Sequence, residues 1–186
     1  MVNFMVSRNR QAHVISLPLS VFSIALVLLT SPVHAQIVVD PSAPRGQQPV
    51  VLKTASGATQ VDINTPSTSG VSMNQYKQFD TQTNGTILNN SRTNVETQTA
   101  GWVQANPWLA GGAARVIVNQ VNSVNPSHLQ GNIEVAGGRA EVVIVNPAGL
   151  RVDGATFLNA SRATLSTGLP VFNGDDLTGY RVEGGQ

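Results

Sequence analysis

No cysteine occurs in this sequence, so it has no disulfide framework and no Cys-containing zinc site. Histidine is nearly missing too. His13 and His34 fall in the first 35 residues, which leaves His128 beside an Asn125-Pro126 step. A Ser-His-Asp relay would have to use that one imidazole, and no Gly-x-Ser-x-Gly or phosphate-cradling Gly-x-x-x-x-Gly-Lys accompanies it. We expect His128 to face solvent. Charged residues make up only 11% of the chain. The acids Asp62, Asp80, Glu96, Glu134, Glu141 and Asp153 are scattered, whereas a glycoside-cleaving site needs two that converge. Only Asp175 and Asp176 are adjacent, and a calcium loop needs six or more oxygens, so a solvated turn is expected there. The sequence therefore gives no catalytic residue, metal ligand or cofactor motif.

The first 35 residues read as an address. Arg8 and Arg10 precede an apolar run from Val14 to Leu29, and Val33-His34-Ala35 supplies small residues at a cut between Ala35 and Gln36. Ser16, Pro18, Ser20 and Ser23 interrupt that run, and a spanning helix wants about 20 largely apolar residues. A secretory signal peptide over 1–35 is expected, handled by the general secretion machinery, with no stable membrane anchor. Two of the eleven basic residues lie in it, leaving nine against ten acids in residues 36–186. No basic stripe remains, so nucleic acid is not an expected partner. For an exported chain, the lack of cysteine also suits passage across a second membrane while unfolded.

Aromatics stand at 5%, and Gly, Asn, Thr, Ser, Val and Gln fill their place. Disorder usually brings high net charge and few β-branched residues, and neither holds here. The reading is all-β with short strands and many turns. Residues 36–40, 49–53 and 59–63 are expected strands that cover the open end of a stack. Val71, Met73, Tyr76 and Phe79 suggest an irregular buried edge, and 91–105 a loop or excursion. Regular strands are expected from about Ala113, with 141–145 the most apolar of them.

Three Asn-Pro steps punctuate the second half: Asn106-Pro107, Asn125-Pro126 and Asn146-Pro147, spaced 19 and 21 residues apart. A period near twenty with short strands implies a solenoid, one coil per repeat. The three Asn side chains could form a ladder between coils, or Asn-Pro could simply mark turns. Trp102 and Trp108 flank the first step, as a partner patch or as cover for a core edge.

These residues together resemble a known family. Gly70 to Phe79 with Gly85 to Ser91, then Asn106-Pro107-Trp108-Leu109, then Asn146-Pro147-Ala148-Gly149-Leu150, are similar to the N-terminal secretion domain of two-partner-secretion exoproteins, the filamentous haemagglutinin and contact-dependent growth inhibition group. The resemblance implies a right-handed parallel β-helix with an N-terminal β cap over 36–186, C-terminally incomplete because that family runs on into a longer body. It implies a monomer, no enzymatic activity and no cofactor. It also implies a route through the periplasm to the surface or medium of a Gram-negative bacterium, with the periplasmic domains of an outer-membrane barrel transporter as partner. Asn106, Pro107, Trp108, Leu109, Asn146, Pro147, Ala148, Gly149 and Leu150 would carry recognition or structure. Trp108 and Ala148 stand where the family has Asn. Trp cannot supply an amide, so the first motif is expected to weaken as a ladder element. A free-standing adhesin or structural β-helix is the alternative, and a carbohydrate-active β-helix enzyme a more distant one.

Overall fold

The structure is a computed structural model that describes residues 36–182. The expected signal segment 1–35, with Ala35 on one side of its cut, lies outside the described residues, and Gln36 is the first described. Among the described residues no helix is long and apolar enough to cross a membrane.

The chain winds through three sheets in turn. β1 (Ile37–Val39), β4 (Val71–Phe79), β8 (Val116–Val121), β11 (Ala140–Val145) and β14 (Ala160–Ser166) form the first. β2 (Val50–Lys53), β3 (Thr59–Asp62), β5 (Thr86–Asn90), β10 (Asn132–Gly137) and β13 (Thr156–Leu158) form the second. β9 (Ser127–Leu129) and β12 (Leu150–Val152) form the third, which Thr81 joins by a parallel bridge to Leu129. Within these three sheets every pairing is parallel except the outermost at the N-terminal end, where β1 lies antiparallel on β4 and β2 on β3. The fold is a parallel β-helix closed by an antiparallel cap. The cap is two strands rather than the three expected, because β3 already pairs in parallel with β5.

Register gives the length of a coil. Ile117 lies beside Val142, Ile133 beside Phe157 and Ser127 beside Leu150, that is 25, 24 and 23 residues on. The 19- and 21-residue intervals between Asn-Pro steps are therefore not the coil repeat. Equivalent side chains stack ~4.8 Å apart, so Val61, Leu88 and Val135 make one interior column, all essentially buried. Each such burial contributes about 1.5–3 kcal/mol.

β4 is an interior strand of nine residues, not an irregular edge. Its inward side carries Ser72, Asn74 and Tyr76, which hides the usual apolar alternation. Asn74 and Asn119 stack in register inside the coil. Asn74 Nδ2 donates to the Val118 carbonyl and Asn119 Nδ2 to the Val143 carbonyl, each at 3.2 Å, and Tyr76 Oη sits 3.0 Å from Asn119 Oδ1. A short Asn ladder thus exists, but on strands, and Ile144 ends it in the next coil. The outward side of the same sheet is apolar: Val71, Val118, Val143 and Val145 are covered by Leu177 and Tyr180. Those two belong to a hairpin of β15 (Leu169–Asn173) and β16 (Asp176–Arg181), closed by the Asn173-Gly174 turn. Burial on both faces is why β11 reads as an unbroken apolar run.

Asp40 ties the cap to the coils. Its carboxylate accepts hydrogen bonds from Asn122 Nδ2 at 2.7 Å and from Ser42 Oγ and N at 2.6 and 3.0 Å, with Lys77 Nζ 3.3 Å away. The Asn122 amide and then Ser42 hold this carboxyl well below the usual carboxylate range, against the opposing effect of burial.

Candidate functional site

Asn-Pro-x favours a turn because proline fixes its own φ and keeps the preceding residue extended. Asn106 is extended, at φ −75° and ψ 116°, and its Oδ1 accepts the Trp108 N–H at 2.9 Å. Pro107–Leu109 then forms one 3-10 turn that drives Leu109 into the core at 1% exposure. The other half of the Asn106 amide works across coils: Nδ2 donates to the carbonyls of Ile63 and Asn89, both at 2.9 Å. Both acceptors belong to fully buried residues at the corner between the second and first sheets.

Asn146-Pro147-Ala148-Gly149-Leu150 repeats the device at another corner, between the first and third sheets. Asn146 Oδ1 accepts the Ala148 N–H at 2.9 Å, while Nδ2 donates to the Asn125 carbonyl at 3.0 Å and to Ser127 Oγ at 2.9 Å. Gly149 lies at φ +117°, a left-handed value that suits glycine, and Leu150 packs half-buried against the core as the first residue of β12. Asn125 shares this corner but contributes only its backbone carbonyl; its side chain is exposed.

The three Asn-Pro steps therefore do not form one ladder. Two of them are staples at two different corners, and the third is a turn. The weakening expected from Trp108 is also corrected. The third motif position supplies a backbone N–H, and at Trp108 a carbonyl that accepts Thr65 Oγ1 at 2.8 Å, so no side-chain amide is needed there. The indole of Trp108 points outward at 49% exposure. Pro107 and Pro147 are exposed and Ala148 is half-buried, so each motif offers a small outer face above an inward staple.

The excursion after β5 proves to be structured. β6 (Val95–Thr97) and β7 (Gly101–Val103) form a hairpin that lays Val95, Ala100 and Val103 on Ile87 and Ala136, the outward face of the second sheet. The buried carboxylate of Glu134 accepts the backbone N–H groups of Gln98 and Thr99 at 2.9 and 2.8 Å and fixes the hairpin tip. Trp102 stands out from it at 72% exposure. Sequence reading singled out this tryptophan but not the groove beside it. That groove, about 630 Å³, has Leu52 and Lys53 on one wall, Trp102 and Val103 on the other, and Gln60 and Asp62 on its floor. The signal was the Gln60-x-Asp62 alternation, which points both polar side chains away from the core while Val61 points in.

His128 is exposed, and its backbone N–H rather than its imidazole is engaged, donating to Asp80 Oδ1 at 2.7 Å. Among the described residues no group of three His, Asp or Glu side chains is placed to hold a metal. Asp175 accepts Thr68 Oγ1 at 3.0 Å, a contact that pins the β15–β16 turn.

Known proteins are similar to this chain in sequence and in fold. A toxin CdiA of Yersinia pestis is 54% identical over 163 residues, which is 88% of this chain and 5% of that protein. A tRNA nuclease CdiA-2 of Burkholderia pseudomallei (strain 1026b) is 50% identical over 192 residues, 96% of this chain and 6% of that protein. The chain thus spans 5 to 6% of the length of these relatives. A crystal structure of a filamentous hemagglutinin secretion domain superimposes with a TM-score of 0.68 at 35% identity, over 75% of this chain and 44% of that one. The model of the TPS secretion domain family matches residues 35–186. With a capped parallel β-helix and both Asn-Pro corners in place, the chain belongs to the TPS secretion domain family.

Proposed function

We propose that residues 36–186 act as the non-enzymatic secretion module of an adhesin- or toxin-type exoprotein. A signal peptide over 1–35, cut between Ala35 and Gln36, delivers it to the periplasm of a Gram-negative bacterium. There it engages the periplasmic domains of an outer-membrane barrel transporter as a monomer and is threaded outward. The observation that carries this reading is the family match over 35–186 on a chain whose first coils are already capped.

Physical reasoning supports a folding role alongside targeting. In a stack, each coil supplies the edge on which the next pairs. Once the cap and the β3–β4 coil have formed outside, further coils can add one at a time, and a folded coil cannot slip back through a pore that passes unfolded chain. Asn106, Pro107, Trp108, Leu109, Asn146, Pro147, Ala148, Gly149 and Leu150 serve this in two ways. The Asn and Leu residues hold corners, while Pro107, Trp108, Pro147 and Ala148 present the outer face that a transporter meets.

The test is export. The chain is expressed in a Gram-negative host with and without a two-partner-secretion barrel transporter, and the medium and surface are compared with the periplasm. Transporter-dependent appearance outside the cell is the expected result. Equal export without the transporter would overturn the targeting role and favour a free-standing surface protein.

A further inference from the structure

The second sheet is roofed over only half its width. Its outward face carries Val50 and Leu52 on β2, Gln60 and Asp62 on β3, Ile87 and Asn89 on β5, and Glu134 and Ala136 on β10. The β6–β7 hairpin covers the β5 and β10 half. Among the described residues no strand is stacked over β2: Val50 and Leu52 stand 38% and 45% exposed beside the groove that Trp102 walls, while Gln60 and Asp62 of β3 lie buried at its floor. A strip two strands wide is ~10 Å across, room for one extended peptide.

The floor of that strip is chemically specific. Asp62 is only 7% exposed, yet it carries a carboxylate. Its Oδ1 accepts Gln60 Nε2 and Asn89 Nδ2, both at 2.7 Å. Among the described residues no hydrogen bond reaches its Oδ2 and no ion pair reaches either oxygen. Its Oδ2 keeps free lone pairs, on which a positive group could form a charge-assisted hydrogen bond. The cation on the rim, Lys53, has its Nζ 2.8 Å from Thr59 Oγ1. Thr59 is three residues from Asp62 along β3, ~10 Å away and near the screening length at physiological salt.

We propose that this half-roofed face is a docking groove for an extended, basic segment of a protein partner. An arginine or lysine of that segment sets its cationic head on Asp62 Oδ2, its stem lies along Leu52, and the Trp102 ring covers it from the hairpin side. The groove borders the first Asn-Pro corner at Pro107 but places none of the proposed contacts on it, and its peptide test stands whether or not the transporter reading does.

A short peptide tests it. The purified chain is titrated with acetyl-Thr-Val-Arg-Val-Thr-amide, following tryptophan fluorescence and the indole N–H signals by NMR. The same peptide with Gln in place of Arg serves as comparator. The Arg peptide should bind about tenfold more tightly than the Gln peptide, because a charge-assisted bond in a buried setting is the difference between them. Asp62→Asn keeps an oxygen for Gln60 and Asn89 and should bring the Arg peptide down to the Gln level. Trp102→Ala should weaken it roughly two- to fivefold, and Trp108→Ala should leave it unchanged. If Asp62→Asn does not fold, the Arg and Gln peptides on the unaltered chain decide the matter. Equal affinities, no saturable binding, or an Asp62→Asn chain that binds the Arg peptide normally would overturn the proposal.

Discussion

Asn106 and Asn125 begin the same dipeptide, yet one is 3% exposed and the other lies at the surface. The Asn106 side chain donates two hydrogen bonds across its corner and accepts one from the Trp108 N–H, whereas the Asn125 backbone carbonyl serves as acceptor for Asn146. What separates them is what lies on either side. Asn106 sits where the carbonyls of Ile63 and Asn89 face inward without water, and Asn125 sits where the chain passes from β8 to β9 in the open. A turn dipeptide becomes a staple when the neighbouring coils present carbonyls that nothing else can satisfy.

The comparison is broken most directly at Asn106. Asn106→Ala leaves two buried carbonyls and the Trp108 N–H without partners, and should cost about 3 kcal/mol. For a domain of this size that lowers the melting temperature by roughly 6–12 °C. Asn146→Ala should cost about 2 kcal/mol, because the Asn125 carbonyl it abandons is at an exposed residue that water can reach. Thermal melts of the two variants give the order. A larger loss at Asn146 would mean that solvent access does not set the difference.

The same contrast explains what the sequence made legible. Turns at Ser56-Gly57, Asn84-Gly85 and Asn173-Gly174 are where glycine at positive φ was to be expected, and the apolar run of β11, Val142 to Val145, is fully buried. The coil length was misread because Asn106-Pro107 and Asn125-Pro126 occupy different corners, so their spacing crosses the repeat instead of measuring it. The excursion that carries β6, β7 and Asn106 also sets Val116 45 residues on from its neighbour Val71, nearly twice the ordinary coil length, which hides the first coil from any search for a period. β4 reads as an irregular edge in the sequence since its inward face holds Ser72 and Asn74, polar groups that only the stacked carbonyls beside them make tolerable. Gln60-x-Asp62 marks only the floor of the groove beside Trp102; its far wall depends on where the hairpin stops, a tertiary fact with no local signature.

The cap sharpens the comparison because its staple is charged. Asn106 and Asn146 are neutral and should respond little to acid. Asp40 has its carboxyl held below the usual range, so its contribution is fully present above the unfolded value of about 3.9 and is lost as the pH falls from there toward the folded value. Asp40→Asn should cost about 1.5 kcal/mol at neutral pH. The gap between it and the unaltered chain should narrow below about pH 4, while the Asn106→Ala gap stays constant. Melts at pH 7 and pH 3 separate the two behaviours, and an Asp40→Asn gap that persists at pH 3 would rule out the charge as its cause.

Trp108→Asn and Ala148→Asn come next, since each third position contributes backbone groups to its corner and keeps them after substitution. Their melting temperatures should stay within about 2 °C of the unaltered chain, as expected of surface changes. Any change in export would then report on the outer face of the motifs and not on the stack.

The smallest effect belongs to Asn125→Ala. Its side chain is exposed, and the carbonyl that Asn146 needs belongs to the backbone, which alanine retains. Proline at 126 still holds residue 125 extended, so the carbonyl keeps its aim at the Asn146 amide. Stability should therefore change by less than about 0.5 kcal/mol. Combining Asn125→Ala with Asn146→Ala should then cost no more than Asn146→Ala alone, because the first change removes nothing the second depends on. An extra loss in the double variant would show that the Asn125 amide helps hold the corner after all, and the division between staples and turns would have to be redrawn there.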